Sequence, residues 1–355
     1  MTIPVRCGST CRPSRDDDLG VIMRKFINEP KEAARETVEG FLAVYGSAFE
    51  EVPGALAVKR RELADKVAIV SGGGSGHEPV WLEYVGPGLA DAVCQGDIFA
   101  APDPGSIVKT AKAVDRGHGI LFLYGNYAGD RLNFDLAAEM LVDDGHKVRT
   151  VRVTDDVSAA GPDRPIDRRG IAGGFFVAKV AGAAAEAGLP LHTVQALGQE
   201  AADRTRSIGV ASGAGTVPGT GEPTFDLPDG EMEIGMGMHG EPGVRRTGML
   251  TADETAAEMI DLLLQDRPVT AEDRVCVLVN GLGATTRAEL LIVSRAVRRL
   301  LGERRLVIHD IQVGDFATCQ EMHGFSLSLF AVSPELRPYY DVPARTSFFS
   351  GVNQV

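Results

Sequence analysis

Three short segments of this chain set glycines beside a side chain capable of chemistry. They are Ser71-Gly72-Gly73-Gly74-Ser75-Gly76-His77-Glu78-Pro79, Tyr124-Gly125-Asn126-Tyr127-Ala128-Gly129-Asp130 and Gly235-Met236-Gly237-Met238-His239-Gly240-Glu241-Pro242-Gly243. Glycine lets a backbone approach a ligand closely and present its N–H groups. One such loop can be no more than a tight connection, but three of them carrying His77, Asp130 and His239 point to a site. A neutral imidazole can attack a carbonyl carbon, and a carboxylate can take the proton from a hydroxyl. A carbonyl next to a primary hydroxyl uses both reactions, which describes a small hydroxyketone.

Better-known motifs fail on these residues. Gly72 to Gly76 does not fit G-x-G-x-x-G, and neither G-x-x-x-x-G-K-[ST] nor H-E-x-x-H occurs. Ser75 is followed by Gly76 and His77, so the serine-hydrolase elbow G-x-S-x-G is not completed. His239-Gly240-Glu241 matches the H-x-E half of a zinc deaminase, but no P-C-x-x-C follows. The expectation is no metal site and no nucleotide site on this chain.

The elements that must carry these loops alternate. Val67 to Val70 reads as a strand ending in the glycine loop, and further strands are expected at Gly119–Tyr124, Lys147–Val153, Ser207–Ala211, Val275–Asn280 and Leu306–Ile311. A helix capped by Asn28 is expected to run to about Tyr45, with others at Phe134–Asp143, Gly174–Ala187, Ala252–Leu264 and Arg287–Leu300. Strands alternating with helices imply α/β architecture, with loops gathering where parallel strands end. At 355 residues the chain exceeds what one core usually serves. The expected division is an irregular or disordered leader at 1–22, a three-layer parallel-sheet α/β domain at 23–200, and a mixed-sheet α/β domain at 201–355.

Composition narrows the partners. A net charge of -13 argues against nucleic acid and anionic membrane surfaces. No apolar run approaches the roughly 20 residues that span a bilayer. The five cysteines, Cys7, Cys11, Cys94, Cys276 and Cys319, show no repeating spacing, which suits reduced thiols in the cytoplasm.

The three loops resemble those of the dihydroxyacetone kinase substrate-binding subunit, the DhaK family. So do Asp155-Asp156-Val157, Arg168-Arg169-Gly170, Thr216-Val217-Pro218 and Asn280-Gly281-Leu282-Gly283-Ala284-Thr285, and the similarity runs from about Arg24 to Asn353. The resemblance implies that His239 traps a ketose carbonyl as a covalent hemiaminal and that Asp130 is general base on the accepting hydroxyl. It further implies that His77 orients the ketone, while Gly73, Gly74, Ser75 and Gly76 give backbone contacts. It implies a homodimer that binds no cofactor itself. ATP, or ADP with Mg, would sit on a separate DhaL-type nucleotide-binding subunit, because no helical nucleotide-binding region follows to Val355. Where familiar members carry Lys before Asn-Tyr-x-Gly-Asp, this chain has Gly125, which makes a four-carbon ketose such as erythrulose a competitor to dihydroxyacetone. Two other readings stand beside the kinase. One is a ketose sensor or coactivator, which would not need Asp130. The other is a lyase or aldolase, which would want a Schiff-base lysine that the three loops lack.

Overall fold

The computed structural model describes residues 25–270 and 272–351. The expected leader at 1–22, with Cys7 and Cys11, lies outside the described residues.

The first sheet holds β1 (Phe49–Glu51), β2 (Ala57–Arg60), β3 (Ala68–Ser75), β4 (Ala92–Ile98), β5 (Ile120–Gly125) and β6 (Val148–Val153), in the order β1-β2-β4-β3-β5-β6. β4, β3, β5 and β6 run parallel, while β1 and β2 form an antiparallel edge. Period-two alternation divides its side chains between two layers. Val70, Ile120, Phe122 and Tyr124 pack with α2 (Pro104–Val114) and α3 (Ala128–Asp143). Ile69, Leu121, Leu123 and Val153 pack on the opposite side, where Phe175, Phe176 and Val194 come from α4 (Gly174–Glu186) and α5 (Leu191–Asp203).

The second sheet contains β7 (Thr205–Gly213), β8 (Glu231–Ile234), β9 (Arg245–Gly248), β10 (Arg274–Gly281), β11 (Ile308–Gly314) and β12 (His323–Val332), ordered β11-β10-β12-β7-β8-β9. Only the β10–β11 pair is parallel, so the sheet is mixed. Its outer face, with Val210, Val277 and Leu327, packs on α6 (Ala252–Asp266) and α7 (Arg287–Glu303), each begun by a Thr–Glu capping box. Its inner face turns Cys276, Leu278 and Phe330 towards α4.

This placement explains the sequence of α4. Gly-Phe-Phe-Val-Ala-Lys-Val-Ala-Gly-Ala-Ala-Ala-Glu is apolar on every side because sheets lie on both sides of it. Phe176 stacks on Phe330 of β12 at 5.5 Å. Its one basic residue, Lys179, is buried and donates to the carbonyls of Tyr340 at 2.6 Å and Val342 at 2.7 Å.

One local expectation changes. The glycines after Val70 are strand and not loop: β3 continues through Gly72, Gly73 and Gly74 to Ser75. Crowding is the reason. A Cβ at Gly72 would lie 2.3 Å from Cys94 O, and one at Gly73 would lie 2.3 Å from Trp81 Nε1. The turn comes at Gly76, whose φ is +95°. Asn28 does not cap α1 (Ala33–Tyr45); a 3-10 turn at Pro30–Glu32 precedes it, and the Asn28 amide reaches Glu36 instead. The expected division between residues 200 and 201 falls within α5.

Candidate active site

The three loops meet at one point. His77 follows the carboxyl end of β3, Asp130 lies in the first turn of α3 after β5, and His239 sits in the connection from β8 to β9. His77 Nε2 and His239 Nε2 are 3.0 Å apart. Phe99 and Tyr127 frame the pair, with ring centroids 5.3 and 4.9 Å from that of His239.

His77 is 4% exposed and fastened by the second half of the chain. Its Nδ1 lies 2.7 Å from Thr318 O, and Thr318 N–H donates to His77 O at 3.1 Å. A carbonyl only accepts, so the His77 hydrogen is on Nδ1 and Nε2 offers a lone pair. Burial, aided by the charge of His239, pulls the His77 pKa down to about 3.

His239 faces a carboxylate on its other side. Glu241 accepts the His239 backbone N–H at 2.9 Å, and its second oxygen lies 3.2 Å from Nδ1. A carboxylate likewise only accepts, so Nδ1 carries hydrogen. Burial works to raise the Glu241 pKa, but hydrogen bonds and charge from His239 outweigh it and hold the group at about 2. Since His77 Nε2 is an acceptor, the proton shared by the two Nε2 atoms belongs to His239.

Asp130 does not cap α3; Tyr127 occupies that position and the helix begins at Ala128. The carboxyl oxygen Oδ1 of Asp130 is buried without a partner. Burial lifts its pKa to about 7, against the opposing pull of His239. Tyr127 OH and Gln95 Oε1 are also buried and unpartnered. Orphaned polar atoms beside a reactive pair are what a ligand or ordered water would satisfy.

The remaining expected contacts divide. Gly76 N–H donates to Glu78 Oε2 at 3.0 Å, and its carbonyl accepts from Gln320 N–H at 2.9 Å, so it anchors the turn that presents His77. Gly73 lies under Trp81, and Gly74 packs on the backbone of Phe99 and Ala100. Ser75 Oγ donates into the sheet, to Gly96 O at 2.7 Å. Gly125 ends β5 beside Tyr127, where a Cβ would sit 3.4 Å from the ring.

Sequence reasoning passed over Glu241, which it weighed only as half of a metal motif. A carboxylate two residues beyond a reactive histidine could have been read as the group that fixes its tautomer. Gly235, Gly237 and Gly240 do keep G-x-G-x-x-G spacing, but between two antiparallel strands and not ahead of a helix. Among the described residues no group of three or more His, Cys, Asp or Glu is arranged to hold a metal, and no helix is long and apolar enough to cross a membrane.

A mixed α/β architecture of two such sheets is the architecture of a known class, the dihydroxyacetone kinases. Residues 39–348 match the Dak1 domain, and the chain belongs to that family. It is 41% identical to the dihydroxyacetone-binding subunit DhaK of PTS-dependent dihydroxyacetone kinase 2 from Listeria innocua, across 92% of this chain and 99% of the relative. It is also 41% identical to the D-erythrulose kinase of Mycolicibacterium smegmatis, across 91% of this chain but only 56% of that protein. The dihydroxyacetone kinase of C. freundii, solved with AMP-PNP and Mg2+, superposes with a TM-score of 0.84 at 32% identity, covering 94% of this chain and 62% of that one. The co-activator DhaQ of a dihydroxyacetone kinase operon superposes at 0.83 with 30% identity, covering 89% and 97%.

Proposed function

We propose that this chain is the ketose-binding subunit of a dihydroxyacetone-type kinase, holding dihydroxyacetone or a tetrulose such as erythrulose covalently on His239. The observation that carries the reading is the arrangement of His77, His239 and Glu241 on one line of hydrogen bonds. A ketone that displaces the contact between the two rings brings its carbon to His239 Nε2. The Nε2–H proton passes by way of His77 Nε2 to the carbonyl oxygen, a C–N bond forms, and the π pair becomes the new hydroxyl. His239 keeps its Nδ1 hydrogen on Glu241, so charge is conserved and the product is a hemiaminal. Polyols such as glycerol offer no carbonyl and are refused.

Asp130 supplies the second step. Above about pH 7 it is ionised and takes the proton of the terminal hydroxyl that accepts phosphate. The phosphoryl group comes from nucleotide and Mg on a separate DhaL-type subunit, a division of labour matched by near-complete coverage of the Listeria subunit. The chain acts as a cytoplasmic homodimer in this reading.

The test uses the purified chain with a cognate nucleotide-binding subunit and C3 to C5 ketoses. Wild type should phosphorylate a ketose and show continuous density from His239 to the substrate carbon in soaked crystals. His239→Ala should lose both. Normal turnover by His239→Ala would overturn the mechanism. The resemblance to DhaQ favours a second reading, a ketose-dependent coactivator with the same pocket. Ketose binding without turnover in any such mixture would select it.

A further inference from the structure

His239 is held from behind by charged groups contributed by a different part of the chain. Glu241 uses one oxygen on the His239 backbone N–H and the other on Nδ1. Arg169 Nη1 lies 3.8 Å from Glu241 Oε2. Arg169 is not part of that loop; it lies on the connection from β6 to α4. It is fixed there by its Nε on Asp156 Oδ2 at 2.8 Å, and by Nη2 on Ser158 Oγ at 3.0 Å and on Gly235 O at 3.3 Å. Asp156 is fully buried, and its other oxygen accepts from Ser158 N–H at 3.0 Å.

A bland account gives Arg169 one task, neutralising buried Asp156. The packing asks for more. Nε and Nη2 serve Asp156 and its neighbours, which leaves Nη1 turned to Glu241. Gly237 fits between them with no room to spare: a Cβ there would stand 2.2 Å from Glu241 Oε2 and 2.4 Å from Arg169 Nη1. The carboxylate thus has the His239 loop on one side and a fixed guanidinium on the other.

We propose that Arg169 is a positioning residue for ketose capture, holding Glu241 as acceptor of the His239 Nδ1 hydrogen and so deciding which nitrogen meets the ketone. The proposal rests on the capture reading above. Arg169 touches no reacting atom and acts only through Glu241. It also ties the connection from β6 to α4, through Asp156 and Ser158, to the loop that carries Gly235 and His239. If Glu241 swings away, the one hydrogen left after His239 gives up a proton can settle on Nε2 instead of Nδ1, and that tautomer has no lone pair for the carbonyl.

The experiment measures reversible ketose adduct formation by the full chain across pH 5 to 9, together with 15N shifts of selectively labelled histidine, in wild type, Arg169→Gln, Arg169→Lys and Gly237→Ala. A partner that orients a metal-bound imidazole through its second nitrogen is typically worth about 10- to 100-fold, and the same scale is expected for this reacting imidazole. Arg169→Gln should weaken adduct formation by that factor, shift its pH profile and move the His239 15N signals, with partial recovery in Arg169→Lys. Gly237→Ala keeps the Arg169–Asp156 contact but wedges the guanidinium from Glu241, so it gives the same signature should Arg169→Gln fail to fold. Unchanged adduct affinity, pH profile and His239 signals in a folded Arg169→Gln or Gly237→Ala would overturn this role. A wild type that forms no adduct at all would instead overturn the capture reading beneath it.

Discussion

The Nε2 atoms of His77 and His239 meet at 3.0 Å although 162 positions separate the residues in sequence. Each ring is fixed by an acceptor at its far nitrogen, Thr318 O for His77 and Glu241 for His239. In the proposed capture, a ketone displaces the contact between the two Nε2 atoms, so that its carbon meets His239 Nε2 while its oxygen stays near His77. With His77 held neutral down to about pH 3, it contributes no ionisation to the working range. The titrating carboxyl of the site is Asp130.

In the proposed mechanism Asp130 sets the acid limb of turnover. Its pKa near 7 means the base is half ionised at neutral pH. kcat should rise from pH 5 and level off above about 7.5, and Asp130→Asn should remove that limb. A general base contributes roughly 10²–10⁴-fold, so the variant should lose turnover on that scale while keeping adduct formation. Equal losses in both would make Asp130 structural.

The same carboxyl should cost stability, with a definite sign. Its pKa is 3.8 when unfolded and about 7 when folded, so the folded state binds more protons between these values. The penalty is absent below about pH 4, grows as pH rises, and is complete above 7. Its size is of order 1–3 kcal/mol after allowance for partial solvation. Urea titrations should show Asp130→Asn more stable than wild type at pH 8 by that amount, with the difference closing towards pH 4. A constant difference across pH would contradict the burial argument.

The parallel strands of the first sheet were legible because Val67–Val70 and Gly119–Tyr124 are unbroken apolar runs, the pattern of strands buried on both faces. His77, Asp130 and His239 could be grouped from sequence because each sits in a glycine-rich segment, and the fold brings the three segments together. β4 and β12 lie outside the expected strands. β4 begins Ala-Val-Cys but is broken by Gln95, Gly96 and Asp97, and β12 alternates serine with leucine, with Ser207 and Ser328 paired within the sheet at 2.6 Å. Arg169 could not be assigned from sequence. Its meaning comes from Glu241, which a fold and not a spacing brings beside it.

Gly73 tests why the glycine run is there. A methyl at this position would collide with Trp81 Nε1, so the indole must shift or the strand must bend. Overpacking of this kind costs typically 1–3 kcal/mol. Gly73→Ala should lose about that much by denaturant titration and should weaken ketose binding, since Trp81 lies on the turn that begins with His77. A wild-type stability would mean the run serves only the ligand.

Lys179 gives a second pH signature, remote from the site. Burial drops its pKa to about 8 from 10.5, against the pull of Asp310 and Asp341. Between these values the unfolded state binds more protons, so stability from this group rises with pH. Lys179→Met loses two hydrogen bonds to the Tyr340 and Val342 carbonyls and is less stable where the amine is neutral. Relative to that variant, wild type should gain stability between pH 8 and 10. A gain in the opposite direction would mean the two carbonyls hold the ammonium fully charged.

Gly125 is expected to set how large a ketose fits. A Cβ at this position would stand 3.2 Å from Gly170 O and 3.4 Å from the Tyr127 ring, and that ring lies edge-on to His239 at 4.9 Å. A side chain here would thus run along Tyr127 towards the histidine pair. Lysine would bring four methylenes and a positive charge into the space where a ketose hydroxyl must lie; glycine leaves the space and a bare backbone. The close contact with Gly170 O asks for a shift of only a few tenths of an ångström, so Gly125→Lys should fold. Discrimination over one added CHOH is usually modest, of order 10–200-fold. The measurement is kcat/KM for dihydroxyacetone and both erythrulose enantiomers in wild type and Gly125→Lys, each with the nucleotide-binding partner. Wild type should use one erythrulose at least as well as dihydroxyacetone, and the variant should move towards dihydroxyacetone by a factor in that range. A wild type that strongly prefers dihydroxyacetone, beside a folded but inactive Gly125→Lys, would show that the glycine serves the backbone and leaves substrate size to other residues.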